Sequence, residues 1–282
     1  MYYGVNMKRR LSISLDEEVV RQIDSFVDGI VVKSRSEAIE RFLREHLTDR
    51  KTAVILAGGK PEDLYIEELG VYRPLVKING KRLVEYLVLK AREAGYHNQI
   101  VVGHSKVISK IYEILGNGKN YDVNIIYVED DKPMGSAKTL ERAKPYLKSD
   151  FLLLPCDHYF DFDLKKIRDF HVENGGAVTL AIHTRADYSW RYGVVELDGK
   201  RIVNYDEKPK KPKTSLYSTL IGFFSPEVFD HIPPGDVKWS LQENVFNKLA
   251  KEGKMFGYPT SGRWFNIHTK EDVERVRLST SS

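Results

Sequence analysis

From residue 51 onward, short apolar runs alternate with amphipathic helical segments, and this order constrains the fold more than any other feature of the chain. The run TAVILAGG, residues 52–59, has the pattern of a buried strand that enters a glycine turn, and residues 81–96 have the pattern of an amphipathic helix. The later runs QIVVGH, NIIYVED and DFLLLPCD repeat the pattern. Strands that alternate with helices form a mainly parallel sheet covered by helices. The sequence therefore predicts an α/β domain.

The segment before residue 51 has a different pattern, with one short strand and two helices. In RLSISL, residues 10–15, apolar and polar side chains alternate, which gives this predicted strand one apolar face and one polar face. Asp16 is the expected N-cap of the first helix, and Ser34 with Glu37 has capping-box spacing at the start of the second. About 40 residues bury too little surface to fold alone, so we expect this segment to pair with a partner.

A strand with these two faces, followed by two helices, resembles the ribbon-helix-helix (CopG/Arc-like) family over residues 8–48. The resemblance implies a homodimer that pairs the strand with its copy and binds double-stranded DNA. A two-stranded ribbon fits the major groove, arginine reads guanine edges, and amides at a helix start suit a phosphate. The residues that the resemblance assigns to DNA are Arg10, Ser12 and Ser14 on the polar face, Lys8, Arg9 and Arg35 for backbone contacts, and Ser34 with Ser36 at the start of the second helix.

An arm that only dimerises the chain is the alternative interpretation of this segment. The polar strand face favours DNA binding, because a ribbon used only for dimerisation has no need of an exposed arginine and two short hydroxyls. With 44 basic and 40 acidic residues, the net charge is only +4, so a DNA-binding surface must be local. The sequence thus predicts a DNA-binding and dimerisation domain over residues 1–50, followed by a larger domain over residues 51–282.

Composition also bears on the compartment. No apolar run approaches the roughly 20 residues that a bilayer span requires, and the first residues lack the apolar stretch of a secretory signal. The single cysteine, Cys156, has no second cysteine with which to form an internal disulfide. We therefore expect a cytoplasmic protein with no membrane partner. Met1 and Met7 are both candidate start residues.

Several motifs of the larger domain occur in the order found in the sugar-phosphate nucleotidylyltransferases, which residues 52–278 resemble. They are LAGG with RPLVKINGKRLVEY, then GSAKTLERAKPYL, LLPCDHYFDFDL, YGVVELDGKRIVNYDEKP and WFNIHTKEDVERV. Members of this family join a nucleoside triphosphate to a sugar 1-phosphate and release pyrophosphate. The resemblance implies a Rossmann-like nucleotidyltransferase domain with a mainly parallel mixed sheet. It assigns the following residues to a phosphorylated ligand: Ala57, Gly58, Gly59, Arg73, Gly135, Ser136, Asp157, Gly193, Glu207 and Lys208.

Four departures from the family pattern fall on this site. Where the family continues its glycine loop with glycine, threonine and arginine, this chain has Pro-Glu-Asp at 61–63. Arg73 replaces a lysine, Asn266 replaces the second metal-binding aspartate beside Asp157, and Ser-Thr-Leu at 218–220 replaces a sugar contact. Nucleotidyl transfer requires cations to hold two anions and a metal to neutralise developing charge. The changes therefore weaken the catalytic electrostatics while the recognition glycines remain.

These features predict a dimeric DNA-binding regulator whose degenerate nucleotidyltransferase-like domain binds a nucleotide, sugar phosphate or sugar nucleotide as effector. On this interpretation we expect no cofactor. The alternative is an active sugar-1-phosphate nucleotidylyltransferase with a DNA-binding or dimerisation arm. In that case Mg²⁺ would be the cofactor and Arg73 and Asp157 would be catalytic, with a neighbouring lysine as compensation for the lost arginine. Pairing between the large domains would convert the dimer to a tetramer.

Overall fold

The structure is a computed structural model that describes residues 12–29, 32–43, 51–184 and 191–280. The chain divides into two compact units, Met1–Arg50 and Lys51–Ser282. This division falls where the sequence pattern changes. Among the described helices, none has both the length and the apolar character that a membrane crossing requires.

Two helices, α1 (Glu17–Ser25) and α2 (Arg35–Leu43), form the described part of the smaller unit. At the start of α2, the Ser34 hydroxyl accepts a hydrogen bond from the Glu37 amide at 3.2 Å, and the Glu37 carboxylate accepts one from the Lys33 amide at 2.9 Å. The N-cap bond of the predicted capping box therefore forms, whereas Glu37 accepts from the amide one residue before the N-cap. Asp16 precedes α1 as expected, but its side chain makes no capping hydrogen bond.

The smaller unit exposes apolar side chains that the sequence assigns to an interior face. Ile13 is 60% exposed and Phe26 is 53% exposed, whereas Ala38 of α2 is buried. Within residues 12–16 the single chain has no strand pairing, because a ribbon needs a second strand to complete its hydrogen bonds. The strand thus stays a prediction, and Lys8, Arg9 and Arg10 lie outside the described residues.

A nine-stranded sheet lies at the centre of the larger unit, and three two-stranded sheets accompany it. The strands are β1 (Thr52–Ala57), β2 (Tyr65–Ile66), β3 (Val71–Tyr72), β4 (Lys77–Ile78), β5 (Lys81–Arg82), β6 (Asn98–Gly103), β7 (Asn124–Glu129), β8 (Phe151–Pro155), β9 (His158–Phe160), β10 (Val178–Thr184), β11 (Val194–Asp198), β12 (Arg201–Asp206), β13 (Leu216–Phe224), β14 (Met255–Thr260) and β15 (Trp264–Asn266). The order in the large sheet is β10-β14-β12-β11-β13-β8-β1-β6-β7. Only β12 and β13 run against the other strands, which confirms the mainly parallel mixed sheet.

Helices cover both faces of this sheet, because alternate side chains of its central strand point to opposite sides. The helices are α3 (Leu83–Glu93), α4 (Ser105–Leu115), α5 (Ser136–Arg142), α6 (Leu164–Asn174), α7 (Phe246–Lys251) and α8 (Lys270–Thr280). Ile55 of β1 lies in one core cluster with residues of α3, α4 and α6. Its neighbour Leu56 lies in another with residues of α5 and α7. Helix α8 packs instead on a third cluster that includes Val76 and Ile78.

A core substitution tests this assignment of faces. Leu87 of α3 is fully buried, whereas Leu278 of α8 is 76% exposed. We expect Leu87→Ala to lower the free energy of unfolding by about 2–5 kcal/mol, since it removes buried methyl groups and leaves a cavity. The matched control Leu278→Ala should change it by less than about 0.5 kcal/mol. Urea unfolding of both variants measures the difference, and equal effects would contradict the packing described here.

Candidate functional site

A cleft of about 360 Å³ opens where β1 and β8 end, the edge at which open α/β sheets bind ligands. Ala57 ends β1 and is fully buried behind the cleft wall. Ten other residues predicted for a ligand or metal line the cleft: Gly58, Gly59, Arg73, Gly135, Ser136, Asp157, Gly193, Glu207, Lys208 and Asn266. The structure therefore brings together residues that lie far apart in the sequence.

The glycines at the cleft wall are required by the packing of the protein itself. A Cβ atom on Gly58 would overlap the side chain of Thr139 in α5. Thr139 is held in place because its hydroxyl donates a hydrogen bond of 2.7 Å to the buried carboxylate of Asp130. Gly135 has a φ of +102°, and a Cβ atom there would collide with the Trp239 carbonyl. Gly58 thus permits the close approach of α5 to the loop after β1, and Gly135 permits the close approach of the start of α5 to Trp239.

An ion pair between Arg73 and Asp157 lies in the cleft. Arg73 begins a short 3₁₀ helix, Arg73–Leu75, and its Nη1 donates to Asp157 Oδ2 at 3.1 Å. The side chains of both residues are about 15% exposed, at 16% and 15%. The buried Arg73 Nε has no hydrogen-bond partner among the described residues. Arg73 and Asp157, which the sequence assigned separately to phosphate and to metal, therefore contact each other.

Two histidines lie beside the same carboxylate. His158 Nε2 is 3.7 Å from Asp157 Oδ1, and His268 Nε2 is 3.7 Å from Asp157 Oδ2. Burial lowers the pKa of His158 to about 4, and burial also lowers the pKa of His268. His158 Nδ1 accepts a hydrogen bond from Trp264 Nε1 at 3.3 Å. Both rings are thus neutral near pH 7 and supply no positive charge to the site.

The residues around Asp157 do not fit the divalent cation that the family implies. Asn266 lies opposite His158 in the β9–β15 pair, and its buried Oδ1 has no hydrogen-bond partner among the described residues. That amide is one neutral oxygen, whereas Mg²⁺ favours carboxylates. The carboxylate of Asp157 already pairs with a guanidinium. In the described part of the chain, no three His, Cys, Asp or Glu side chains cluster in a way that could hold a metal.

The charges that line the cleft are balanced, as three cations face three acids. These residues are Arg73, Arg191, Lys208, Asp63, Asp157 and Glu207. Lys208 Nζ is 3.7 Å from Glu207 Oε1. Asp63 belongs to the 3₁₀ helix Pro61–Leu64, which follows the glycine loop and contains a second acid, Glu62. The loop that grips a triphosphate in the family pattern therefore presents negative charge here.

Aromatic and amide side chains that the sequence pattern did not assign also line the cleft: Tyr192, Tyr205, Gln242 and Trp264. Tyr192 and Trp264 have ring centroids 4.8 Å apart. Gln242 Oε1 accepts a hydrogen bond from the Ser136 hydroxyl at 2.7 Å, across 106 positions of sequence. Local patterns carry no signal for such contacts, since β12, β15 and the π-helical turn Leu241–Val245 reach the cleft only in the folded chain.

Comparison with protein families identifies both units. The model of the nucleotidyl transferase family matches residues 52–280. The chain belongs to this family. A second model, of the ribbon-helix-helix proteins of the copG family, matches residues 9–50. The predicted order of a ribbon-helix-helix domain and a nucleotidyltransferase domain is confirmed.

Individual relatives of the larger domain are sugar-1-phosphate nucleotidyltransferases. Mannose-1-phosphate guanyltransferase from Saccharomyces cerevisiae is 26% identical over 225 residues, which cover 78% of this chain and 62% of that protein. UTP-glucose-1-phosphate uridylyltransferase from Synechocystis is 30% identical over 220 residues, which cover 72% and 56%. This chain thus spans about six tenths of the length of such relatives. A crystal structure of a protein described as a glucose-1-phosphate thymidylyltransferase from Bacillus anthracis, in complex with a sucrose, has the same fold, with a TM-score of 0.74, 21% identity, and coverage of 81% of this chain and 94% of that one.

Glu207 is a buried acid whose stability effect can be tested. Tyr205 Oη donates to Glu207 Oε2 at 3.2 Å, and the dominant effect of burial raises the pKa of this carboxyl. The folded protein therefore holds a proton that the unfolded chain releases above its ordinary pKa near 4.5. As pH rises through the window between the two pKa values, Glu207 lowers the free energy of unfolding.

We expect Glu207→Gln to raise the free energy of unfolding at pH 7, because the neutral amide avoids an ionised group in a buried position. The gain should shrink toward pH 4, where the carboxyl is protonated in both states. Urea unfolding at the two pH values measures this difference. Glu274→Gln, at an exposed position of α8, is the matched control and should show no such gain. A variant that is less stable than the parent at pH 7 would contradict the argument.

Proposed function

We propose that this protein is a DNA-binding regulator whose nucleotidyltransferase domain senses a phosphorylated ligand and does not carry out ordinary nucleotidyl transfer. The observation that carries the proposal is the Arg73–Asp157 ion pair at 3.1 Å in a cleft that Gly58, Gly59 and Gly135 line. Both residues stand at positions that serve catalysis in the family pattern, and here each neutralises the other. The cleft thus keeps room for a ligand, while the two charged groups that would serve the reaction pair with each other.

The identity of the relatives supports the ligand class. Those proteins are named for mannose 1-phosphate or glucose 1-phosphate and for guanylyl or uridylyl groups. A cleft of the same fold accommodates a sugar, a phosphate and a base, so the ligand of this chain is a nucleotide, a sugar phosphate or a sugar nucleotide. The acids at Glu62 and Asp63 disfavour a triphosphate among these, because Asp63 lies where the family pattern has an arginine and Glu62 adds a second negative charge.

The features of the smaller unit support the DNA-binding role. Its exposed apolar side chains on the predicted strand and on α1 give a second copy a surface to cover. The capped start of α2 presents amides that suit a phosphate. Arg35 stands at this start and pairs with Asp24 of α1, with an Nη2–Oδ2 distance of 2.6 Å. The dimer would then present Arg10, Ser12 and Ser14 from both strands to the major groove.

The regulatory step follows from the presence of both functions in one chain. A ligand changes DNA affinity only when its own affinity differs between the DNA-bound and the free protein. The same coupling acts in reverse, so DNA changes ligand affinity by an equal factor. Titrations of ligand with and without the DNA site, and of DNA with and without the ligand, should therefore give the same coupling constant.

The DNA-binding role predicts an operator with two half-sites. Selection from a random duplex library with the full chain should enrich a palindromic sequence, since a symmetric dimer reads two equivalent sites. Arg10→Ala should weaken binding to that sequence by about tenfold or more, because arginine contacts to guanine discriminate strongly between bases. Arg21→Ala, at an exposed position of α1, is the control and should leave affinity within about twofold. Failure to enrich any sequence would contradict the regulatory role.

An active sugar-1-phosphate nucleotidylyltransferase is the second candidate function. The observation in its favour is the continuous family match over residues 52–280, with Arg73, Asp157 and Lys208 all in the cleft. Mg²⁺ would be its cofactor, although the donor set around Asp157 fits that ion poorly. The small unit would then dimerise the enzyme or place it near DNA.

A mass-spectrometric assay separates the two functions. The protein is incubated with the four common nucleoside triphosphates, several sugar 1-phosphates and Mg²⁺, and both products are quantified. On the proposed function we expect turnover below about 10⁻³ per second, far under the 1–10³ per second that is usual for enzymes. Turnover of about 1 per second that Asp157→Ala abolishes would establish the enzyme and overturn the sensor.

A further inference from the structure

We propose that the Arg73 guanidinium takes the place of the family's divalent cation at Asp157, so that this cleft binds a phosphate ester without a metal. This inference rests on the proposed function of the cleft as a ligand site, and it goes further by naming the group that receives the phosphate. It also assigns Asp157 a new role. The carboxylate orients an arginine and does not coordinate an ion.

The first support is the geometry of the guanidinium. A guanidinium carries five N–H donors in one plane and binds a phosphate through two of them. Asp157 Oδ2 receives Nη1 of Arg73 at 3.1 Å, whereas the buried Nε has no hydrogen-bond partner among the described residues. A buried donor without an acceptor is unfavourable, and Arg73 lines the cleft, so a phosphate oxygen that reaches this edge of the guanidinium is favoured. The three donors of lysine lie on one nitrogen, so lysine lacks the planar fork that presents paired donors to a phosphate.

The second support is the surroundings of the ion pair. A divalent ion at Asp157 would stand within a few ångströms of the guanidinium, and the repulsion is strong at a site so little exposed to water. The nearby Asn266 offers no charge to offset this repulsion. The carboxylate of Asp157 is thus neutralised by Arg73 Nη1 without a metal ion.

The charges that line the cleft restrict the class of phosphorylated ligand that it can bind. A triphosphate carries several charges that a metal neutralises in enzymes, and Asp63 adds negative charge to this cleft. The guanidinium of Arg73 suits one phosphate ester, such as the phosphate of a sugar phosphate or one phosphate of a sugar nucleotide. Lys208 is another cation that lines the cleft. Its Nζ is 3.7 Å from Glu207 Oε1, so a carboxylate of the same cleft already pairs with it.

A titration with Mn²⁺ alone tests the exclusion of a metal and needs no knowledge of the ligand. Electron paramagnetic resonance of free Mn²⁺ should detect no site with a dissociation constant below about 1 mM in the parent protein. Arg73→Gln should bind Mn²⁺ at least about tenfold more tightly, because the repelling charge is gone. Arg73→Gln combined with Asp157→Asn should lose that gain.

Arg275→Gln is the matched control, since Arg275 also pairs with an aspartate at 3.1 Å, but on α8 and outside the cleft lining. It should leave Mn²⁺ affinity unchanged. Circular dichroism establishes that each variant is folded. Tight Mn²⁺ binding by the parent protein that Asp157→Asn removes would overturn the inference, and so would an Arg73→Gln variant that gains no affinity while it remains folded.

Calorimetry tests the second part of the proposal, that Arg73 binds a phosphate ester without a metal. The probes are glucose 1-phosphate, mannose 1-phosphate, UDP-glucose and GDP-mannose. A probe that binds should have the same affinity in EDTA and in Mg²⁺ within about twofold, and Arg73→Gln should weaken it by about tenfold or more in EDTA. Loss of binding in EDTA overturns metal-independent recognition and leaves the sensor function standing. Binding by no probe counts against the sensor function, and the Mn²⁺ titration then still decides the role of Arg73.

Discussion

The parallel pairing of β1 with β6 and β8 is the constraint on which the candidate site depends. Leu56 lies opposite Pro155 in β8, and Ala57 lies opposite Gly103 in β6. A Cβ atom at Gly103 would collide with the Ala57 carbonyl, so this pairing leaves no room for adjustment. Because β1 and β8 end at the same level, the glycine loop that follows β1 and Asp157, which follows β8, lie at the same edge of the sheet. The cleft is thus a consequence of strand register before any ligand chemistry is considered.

The same arrangement explains how the fold persists while the site changes its charges. The two core clusters on the faces of the sheet are built from apolar side chains such as Ile55 and Leu140, which do not depend on the charges in the cleft. Replacement of an arginine by an acid at the loop therefore alters the electrostatics at the strand ends and leaves the packing intact. A shared fold is for this reason weak evidence of a shared reaction, and the charges in the cleft are the better guide.

Much of this architecture is encoded locally and could be predicted from the sequence. Apolar runs gave β1 and β8, helical periodicity gave α3, and glycine spacing gave the turn after β1, because each depends on neighbouring residues. The Arg73–Asp157 contact spans 84 positions, and the Gln242–Ser136 contact spans 106, so neither could be predicted from local patterns. Asp16 shows the opposite kind of error. The sequence predicts that it caps α1, and it lies at the N-cap position, but its side chain makes no capping hydrogen bond.

The pairing predicted for the small unit gives the proposed sensor a quantitative property. A dimer joined through the predicted ribbon carries two clefts, and each bound ligand contributes its own coupling free energy to DNA affinity. A tenfold preference at each site corresponds to about 1.4 kcal/mol, and two independent sites then shift DNA affinity by about a hundredfold. Weak discrimination in each cleft is therefore sufficient for a strong response. An arginine that receives one phosphate is adequate for such a task, whereas a catalytic metal that stabilises a transition state is not required.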